Sequence, residues 1–319
     1  MRWFGLFLPV MMLAALLALA VNWRGPWSQR LLWVVASAAM LVLIFLVRHA
    51  YKHNTIAAER NFYASLRVTQ NLFSYPGTTV RTLMNGSIQH GTQIFGSNEL
   101  RHTPTTYYAI DSGVGLALRF CCGSRTRNIG VIGLGSGTLA AYGRPGDHIR
   151  FYDINPAVPA IAQNVFTYLR ESAAQIQIVE GDARTSLARE SPQHFDVLVV
   201  DAFSGDAIPI HLLTTEALAL YRRHLAPNGT LAFHISNRHV DLAPAIALLA
   251  ASAGMQARRV STDSMRQPGE YTSTWMLVTA DPDFFAQPEL SAVARLPESK
   301  PGLKVWTDDY SALLPLIRW

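Results

Sequence analysis

The stretch Asn128-Ile-Gly-Val-Ile-Gly-Leu-Gly-Ser-Gly-Thr138 decides how this chain is read. Its β-branched, apolar first half has the composition of a buried strand, and it breaks into Gly133, Gly135 and Gly137, spaced two apart. Glycines at that point let a tight turn form and let a ligand touch bare backbone. A second apolar run, His148-Ile-Arg-Phe-Tyr-Asp153, ends in a carboxylate about 20 residues further on, the usual distance to a ribose-binding acid in a nucleotide βαβ unit. Together the two runs point to an adenosine-containing ligand. The third glycine follows the second by two residues instead of three, which departs from the dehydrogenase fingerprint and turns the reading from NAD toward an S-adenosyl sulfonium compound.

Downstream, short strands alternate with helical patterns. Strands are expected near 128–134, 148–153, 175–180, 195–201, 229–235 and 273–280, and helices near 156–170, 183–190, 214–225 and 240–253, with Pro227-Asn-Gly229 punctuating one exit. Such alternation predicts an α/β fold, a mostly parallel sheet covered by helices on both faces. Ligands of these sheets sit beyond the carboxyl ends of the strands, where Gly133 to Gly137, Asp153, Asp182 and Asp201 are collected. Asp153 suits two ribose hydroxyls, Asp182 the adenine amino group, and the glycine amides the tail of the ligand. Each acid can equally be a helix N-cap, Asp153 for a helix at Pro156 and Asp182 for the next.

Upstream, Arg60–Thr69 and Thr79–Asn85 alternate around the turn-forming Ser74-Tyr-Pro-Gly77, and Asn85-Gly86 turns the chain again before Ser87–Phe95. These predict a small β subdomain. Thr103-Pro104 can start a helix toward Arg119 that carries Tyr107 and Tyr108. At the N-terminus, Phe4–Val21 and Leu31–Val47 are nearly free of charge and close to spanning length, with Trp23 and Trp27 in the short polar loop between them. This reads as a hairpin of two membrane helices; a cleavable signal over residues 1 to 20, ending at Ala18-Leu19-Ala20, is the alternative. Arg48, Lys52, Arg60 and Arg67 outnumber Arg24 and Arg30, which places a multi-pass protein in the cell membrane with its large domain in the cytoplasm.

The net charge of +5 comes from scattered residues with no Lys/Arg-rich run, so the reading excludes nucleic acid as a partner and takes the basicity as a membrane-facing property. Cys121 and Cys122 are adjacent and alone, which offers no disulfide framework and fits a reducing compartment. His90, His102, His211 and His239 lack ligand spacing, and no metal is expected.

Over roughly residues 60–280 these features resemble the spermidine synthase family, aminopropyltransferases on a methyltransferase-like, Rossmann-type fold. Leu83-Met-Asn-Gly-Ser-Ile-Gln89 is similar to the family's Leu-x-Leu-Asp-Gly-x-x-Gln element, Tyr107-Tyr108 to its Tyr-His pair, and Val131–Gly137 to its Gly-Gly-Gly-Asp-Gly turn. Asp153 matches the ribose acid, Gly181-Asp182-Ala183 the adenine-contacting segment, and Asp201 the acid ending the fourth strand. Asp201-Ala-Phe-Ser-Gly-Asp-Ala-Ile-Pro209 and Phe233-His-Ile-Ser-Asn237 resemble the membrane-fused branch. The implied organisation is a membrane hairpin over 1–52, a β subdomain over 58–100 and an S-adenosyl-binding catalytic domain over 101–319.

The resemblance implies displacement at the carbon beside a sulfonium by a small-molecule amine. Asp201 is then the catalytic acid/base, Asp206 a second anionic contact, and Tyr108 and Gln89 orient the amine. Gly133, Gly135, Ser136, Gly137, Asp153, Asp182 and Ala183 hold the co-substrate. Ser136 stands where the family turn carries an acid, which removes an attraction for the aminopropyl end of decarboxylated S-adenosylmethionine and a repulsion against the carboxylate of S-adenosylmethionine. Both co-substrates therefore stay open, the second implying methyl or aminocarboxypropyl transfer. A noncatalytic nucleotide-binding module of a membrane complex is a third reading, and a homo-oligomer or a membrane-protein partner is compatible with the hairpin. Trp306-Thr-Asp-Asp-Tyr310 is either an acidic flap, through Asp308 and Asp309, or a solvated turn.

Overall fold

A computed structural model describes residues 2–73, 77–203, 208–263, 266 and 268–318. Helices α1 (Arg2–Val21) and α2 (Trp27–Lys52) pack along each other across a short 3-10 turn. Among the described residues one helical stretch, Trp27–His49, is long and apolar enough to cross a membrane, with mean hydropathy 2.5. At about 1.5 Å per residue its length matches a hydrocarbon core of about 30 Å. The described apolar stretch of α1, Val10–Val21, is shorter than a span, so one of the two expected spanning helices is found among the described residues.

Strands β1 (Thr55–Arg60), β2 (Ser65–Leu72), β3 (Thr79–Asn85) and β4 (Ile88–Phe95) form an antiparallel meander. The first of them escapes the sequence reading because Ala57 to Arg60 lack strict alternation and the strand is largely exposed. The Asn85↔Ile88 pair closes β3 and β4 around Gly86, whose φ of 61° suits a tight hairpin. A register shift between Thr82 and Met84 lies opposite the start of β4 and re-aims Gln89 and His90 toward the second sheet. The Gln93 amide, fully buried, accepts from Thr167 N (2.8 Å) and donates to Thr167 Oγ1 (2.6 Å), which ties the meander to the larger domain.

After α3 (Asn98–His102), capped by Ser97, comes a stretch of turns and then α4 (Gly113–Phe120), capped by Ser112. The helix expected from Thr103 starts ten residues later. Thr106 has φ 56°, which no helix accommodates, and Tyr107 and Tyr108 therefore sit in a turn leading to the site, with Tyr108 N bonded to Thr105 O. Cys121 and Cys122 follow α4 and are joined as a disulfide. Between neighbours in sequence it closes no loop and supplies no framework.

The second sheet has seven strands in the order β10-β11-β9-β8-β5-β6-β7. These are β5 (Asn128–Ile132), β6 (His148–Asp153), β7 (Gln175–Glu180), β8 (Phe195–Val200), β9 (Leu225–His234), β10 (Gln256–Thr262) and β11 (Ser273–Thr279). The five from β7 to β9 are parallel, and β11 runs antiparallel to both its neighbours. Helices α5 (Ala157–Val165), α6 (Tyr168–Glu171), α7 (Ala183–Arg189), α8 (Thr215–His224), α9 (Ala243–Ser252) and α10 (Pro288–Val293) complete the layers. Val197 and Val199 face one core with α4, α5 and α6, whereas Leu198 and Val200 face the other with α7, α8 and α9. Three details differ from the sequence reading. The expected helix over 156–170 is broken at Phe166, where the chain turns extended between α5 and α6. Pro227-Asn-Gly229 is absorbed into β9, where a Cβ at Gly229 would lie 2.7 Å from the Phe195 carbonyl. Edge strand β10 carries Arg258 and Arg259, so it lacks an apolar signature.

At the amino-terminal ends of β5 and β6, Arg127 and Asp147 form an ion pair with both side chains 1% exposed. Asp147 accepts from Arg127 N (2.7 Å), Arg127 Nε (2.9 Å) and Arg144 N (2.9 Å).

Candidate active site

Strand order reverses between β5 and β8, and a cavity of about 1310 Å³ opens beyond their carboxyl ends, roofed by the β4 edge of the meander. Gly133 (φ 100°) and Gly135 (φ 54°) line it. A Cβ at Gly133 would lie 2.4 Å from the Asp201 carbonyl oxygen, and one at Gly135 would lie 2.7 Å from that of His90. The turn is thus a bare-backbone cradle wedged between β8 and β4, as a close-approaching ligand needs. Gly133→Ala is expected to weaken nucleoside binding at least about tenfold and to destabilise the fold by about 1–3 kcal/mol, read by calorimetry and thermal melts. Wild-type affinity in that variant would contradict the cradle.

Ser136 and Gly137 do not line the cavity. Ser136 is 1% exposed, its Oγ lies 2.8 Å from Thr138 Oγ1, and it packs under Gly91. Gly137 (φ 80°) faces Leu169. Their part is to shape the turn from beneath.

Asp153 lines the cavity with Oδ2 accepting Leu134 N (3.0 Å) and Oδ1 accepting Asn155 N (2.9 Å). The helix that follows takes no cap from it. Burial raises its carboxyl to about 6, against those two backbone bonds that lower it. It is anionic above that value and neutral below, so donors on a ribose are held best at higher pH. Methylthioadenosine affinity is therefore expected to fall as pH drops through about 6, approaching tenfold per unit, in calorimetry at a series of pH values. Asp182 also lines the cavity but does cap α7, accepting Thr185 N at 2.8 Å through Oδ1, with His211 Nε2 3.5 Å from Oδ2. Burial raises its pKa, but the Thr185 and His211 contacts outweigh that and leave it below the ordinary range. Ala183, 6% exposed, forms the adjoining wall.

Asp201 follows β8, with its backbone N–H bonded to Ile132 O, and its side chain is 8% exposed. Tyr108 Oη donates to Oδ2 at 2.6 Å, and His234 Nδ1 lies 2.7 Å from Oδ1. Burial, with the charge of Asp201, holds Tyr108 well above the ordinary phenol value, so it remains a donor. Gln89 Oε1 accepts from Tyr271 Oη at 3.3 Å, while Gln89 Nε2 and His90 Nε2 are buried with no hydrogen-bond partner among the described residues. Burial lowers the His90 pKa, offset in part by Asp201, which favours a neutral ring. Two unpaired buried nitrogens facing a cavity are what a polar substrate would satisfy.

Asp206 lies outside the described residues. Asp308 is taken by Arg184 (2.7 Å) and Thr214 (2.8 Å), and neither it nor Asp309 lines the cavity. Trp306 is buried at 2% exposure, while Asp308 and Asp309 sit in an exposed turn, the second of the two expected readings. His234, Ser236 and His90 carry no assigned role in the sequence reading. A signal did exist: His234 is the last residue of a strand, the position at which such sheets present side chains to a ligand. Among the described residues no group of three or more His, Cys, Asp or Glu side chains is arranged to hold a metal.

No protein-family model matches the chain. Over 106 residues it is 33% identical to the polyamine aminopropyltransferase of Vibrio vulnificus, covering 32% of this chain and 35% of that protein. A probable polyamine aminopropyl transferase of Bifidobacterium longum matches at 28% over 33% of this chain and 23% of its own length. The eEF1A lysine and N-terminal methyltransferase of Mus musculus matches at 27% over 56% of this chain and 27% of its own. The chain thus spans about a quarter to a third of these relatives. Among solved structures, a probable spermidine synthase from Corynebacterium glutamicum superposes with a TM-score of 0.60 at 16% identity, covering 81% of this chain and 98% of the other. A spermidine synthase in complex with the transition-state analogue AdoDATO superposes with a TM-score of 0.53 at 13% identity, covering 80% and 83%. In fold the chain is similar to the spermidine synthases, and over about a third of its length its sequence is similar to polyamine aminopropyltransferases.

Proposed function

We propose that the chain is a membrane-anchored transferase that moves an aminopropyl group from decarboxylated S-adenosylmethionine to an amine and releases methylthioadenosine. The observation that carries this reading is Asp201, a buried carboxylate gripped by Tyr108 and His234 beside a glycine cradle at the strand-order switch. Gly133 and Gly135 would admit the sulfonium tail, Asp153 the ribose, and Asp182 with Ala183 the adenine. Asp201 attracts the alkylammonium and supports removal of its proton, with Tyr108 and Gln89 orienting the nitrogen and Asp206 as a second anionic contact. A neutral thioether leaves as the new C–N bond forms. Alignment of nucleophile and sulfonium carbon supplies much of the acceleration.

Helix α2 supports anchoring in the cell membrane, α1 would return the chain to the same side, and the basic residues after α2 favour a cytoplasmic catalytic domain. A homo-oligomer or membrane-protein partner would use the exposed faces of Leu31, Leu32, Leu41, Val42 and Phe45. A second reading, methyl or aminocarboxypropyl transfer from S-adenosylmethionine, draws on the murine methyltransferase match and on Ser136 in place of an acid. The test is product mass: incubation with decarboxylated S-adenosylmethionine and an amine panel should yield methylthioadenosine and an aminopropylated amine. A methylated product formed only from S-adenosylmethionine would establish the second reading instead.

A further inference from the structure

His234 ends β9 and Ser236 follows two residues on, with both side chains lining the cavity. His234 lies 2.7 Å from Asp201 Oδ1 through Nδ1 and 2.8 Å from Ser236 Oγ through Nε2. Ser236 Oγ also accepts the Thr274 backbone N–H at 2.9 Å. Facing an ionised Asp201, which can only accept, a neutral ring carries its hydrogen on Nδ1 and presents a lone pair at Nε2. Ser236, with one lone pair taken by Thr274, turns its own hydrogen to Nε2 and keeps a second lone pair for a donor in the cavity. The ring cannot easily turn away: Trp275 stacks on it at 4.4 Å and 13°, and the Tyr107 and Phe203 rings each lie 5.0 Å off.

We propose that Ser236 and His234 form a proton relay that deprotonates the acceptor nitrogen, while Asp201 draws the cation in and orients the imidazole. The proposal rests on the transferase reading and names the route of its proton. The acceptor N–H breaks as an O–H forms at Ser236 Oγ, and the original Ser236 O–H breaks as an N–H forms at His234 Nε2. The freed nitrogen pair then makes the C–N bond, the C–S bond breaks with its pair retained on sulfur, and the imidazolium returns its proton to water after product leaves. An imidazole is a stronger base than a carboxylate by about two units, so it takes a proton from an alkylammonium at smaller cost. The titratable groups facing the ring are Asp201 at the end of β8, Tyr107 and Tyr108 before α4, and His90 on β4. Asp201 supplies the negative charge that an imidazolium here would need.

The test uses the full chain. Imidazole-nitrogen NMR of the wild type should show His234 as the Nδ1–H tautomer, lost to a tautomer mixture in Asp201→Asn; an Nε2–H ring in the wild type overturns the relay. With decarboxylated S-adenosylmethionine and a short linear alkyl diamine, Ser236→Ala should lower kcat about 10²-fold with methylthioadenosine affinity unchanged, and Ser236→Thr should restore most of it. Unchanged kcat in Ser236→Ala also overturns it. A wild type that binds methylthioadenosine yet transfers to no amine rejects the transferase reading, and the tautomer then decides the relay separately.

Discussion

Asp201→Asn is expected to lower the transfer rate by about 10²–10⁴-fold while leaving methylthioadenosine affinity within a small factor of wild type. The substitution keeps the shape of a side chain that is 8% exposed and replaces one acceptor oxygen by an NH₂. Tyr108 and His234 both point hydrogens at this group, so an amide must turn a donor toward one of them and break a contact of 2.6 or 2.7 Å. The alkylammonium also loses its anionic counter-charge. Nucleoside binding depends on Asp153, Asp182 and the glycine turn, which the substitution would leave in place. Single-turnover rates and product titrations on the same preparation separate the two effects. Transfer at more than about a tenth of the wild-type rate would remove Asp201 from the chemistry.

The second large effect is structural. Arg127→Ala is expected to lower the unfolding free energy by about 3–5 kcal/mol, because it leaves a buried carboxylate without its partner. Asp147 would then keep only the backbone donors Arg127 N and Arg144 N, and Leu118 O would lose the Arg127 Nη1 donor at 2.8 Å. Burial raises the Asp147 pKa, but the hydrogen bonds from Arg127 and the backbone outweigh it and hold the carboxyl below its ordinary value. A depressed folded value means that the pair stabilises above the unfolded carboxyl range, about 3.9, and that this contribution fades as pH falls through the folded value. Wild type and variant should therefore differ most near neutral pH and converge in acid, as read by urea unfolding. A pH-independent gap, or one under about 1 kcal/mol, would show that the pair is not what braces the start of β5 and β6.

The sequence carries the central sheet well because its strands are short apolar runs bounded by glycine and aspartate, and β5 to β8 lie within a residue or two of expectation. It carries the edges poorly. β1 and β10 are exposed or basic, and their pairing is decided by neighbours distant in the chain. Tyr107 and Tyr108 sit where a helix is expected because local propensity says nothing of Thr106, whose φ of 56° breaks the path. Within the site, Gly133, Asp153 and Asp201 are legible as strand ends, a position that topology alone assigns to ligands. Ser136 shows the limit: its place in a motif suggests contact with ligand, but only the three-dimensional turn shows it pointing at Thr138. His234 is hidden for the opposite reason, since its importance comes from Asp201, 33 residues away in sequence.

Calorimetric titration of the full chain with decarboxylated S-adenosylmethionine, S-adenosylmethionine and methylthioadenosine tests the central claim most directly. An aminopropyltransferase site should bind the decarboxylated compound and methylthioadenosine at least about tenfold more tightly than S-adenosylmethionine, a difference of about 1.4 kcal/mol. Tighter binding of S-adenosylmethionine, or no binding of any of the three, would contradict it.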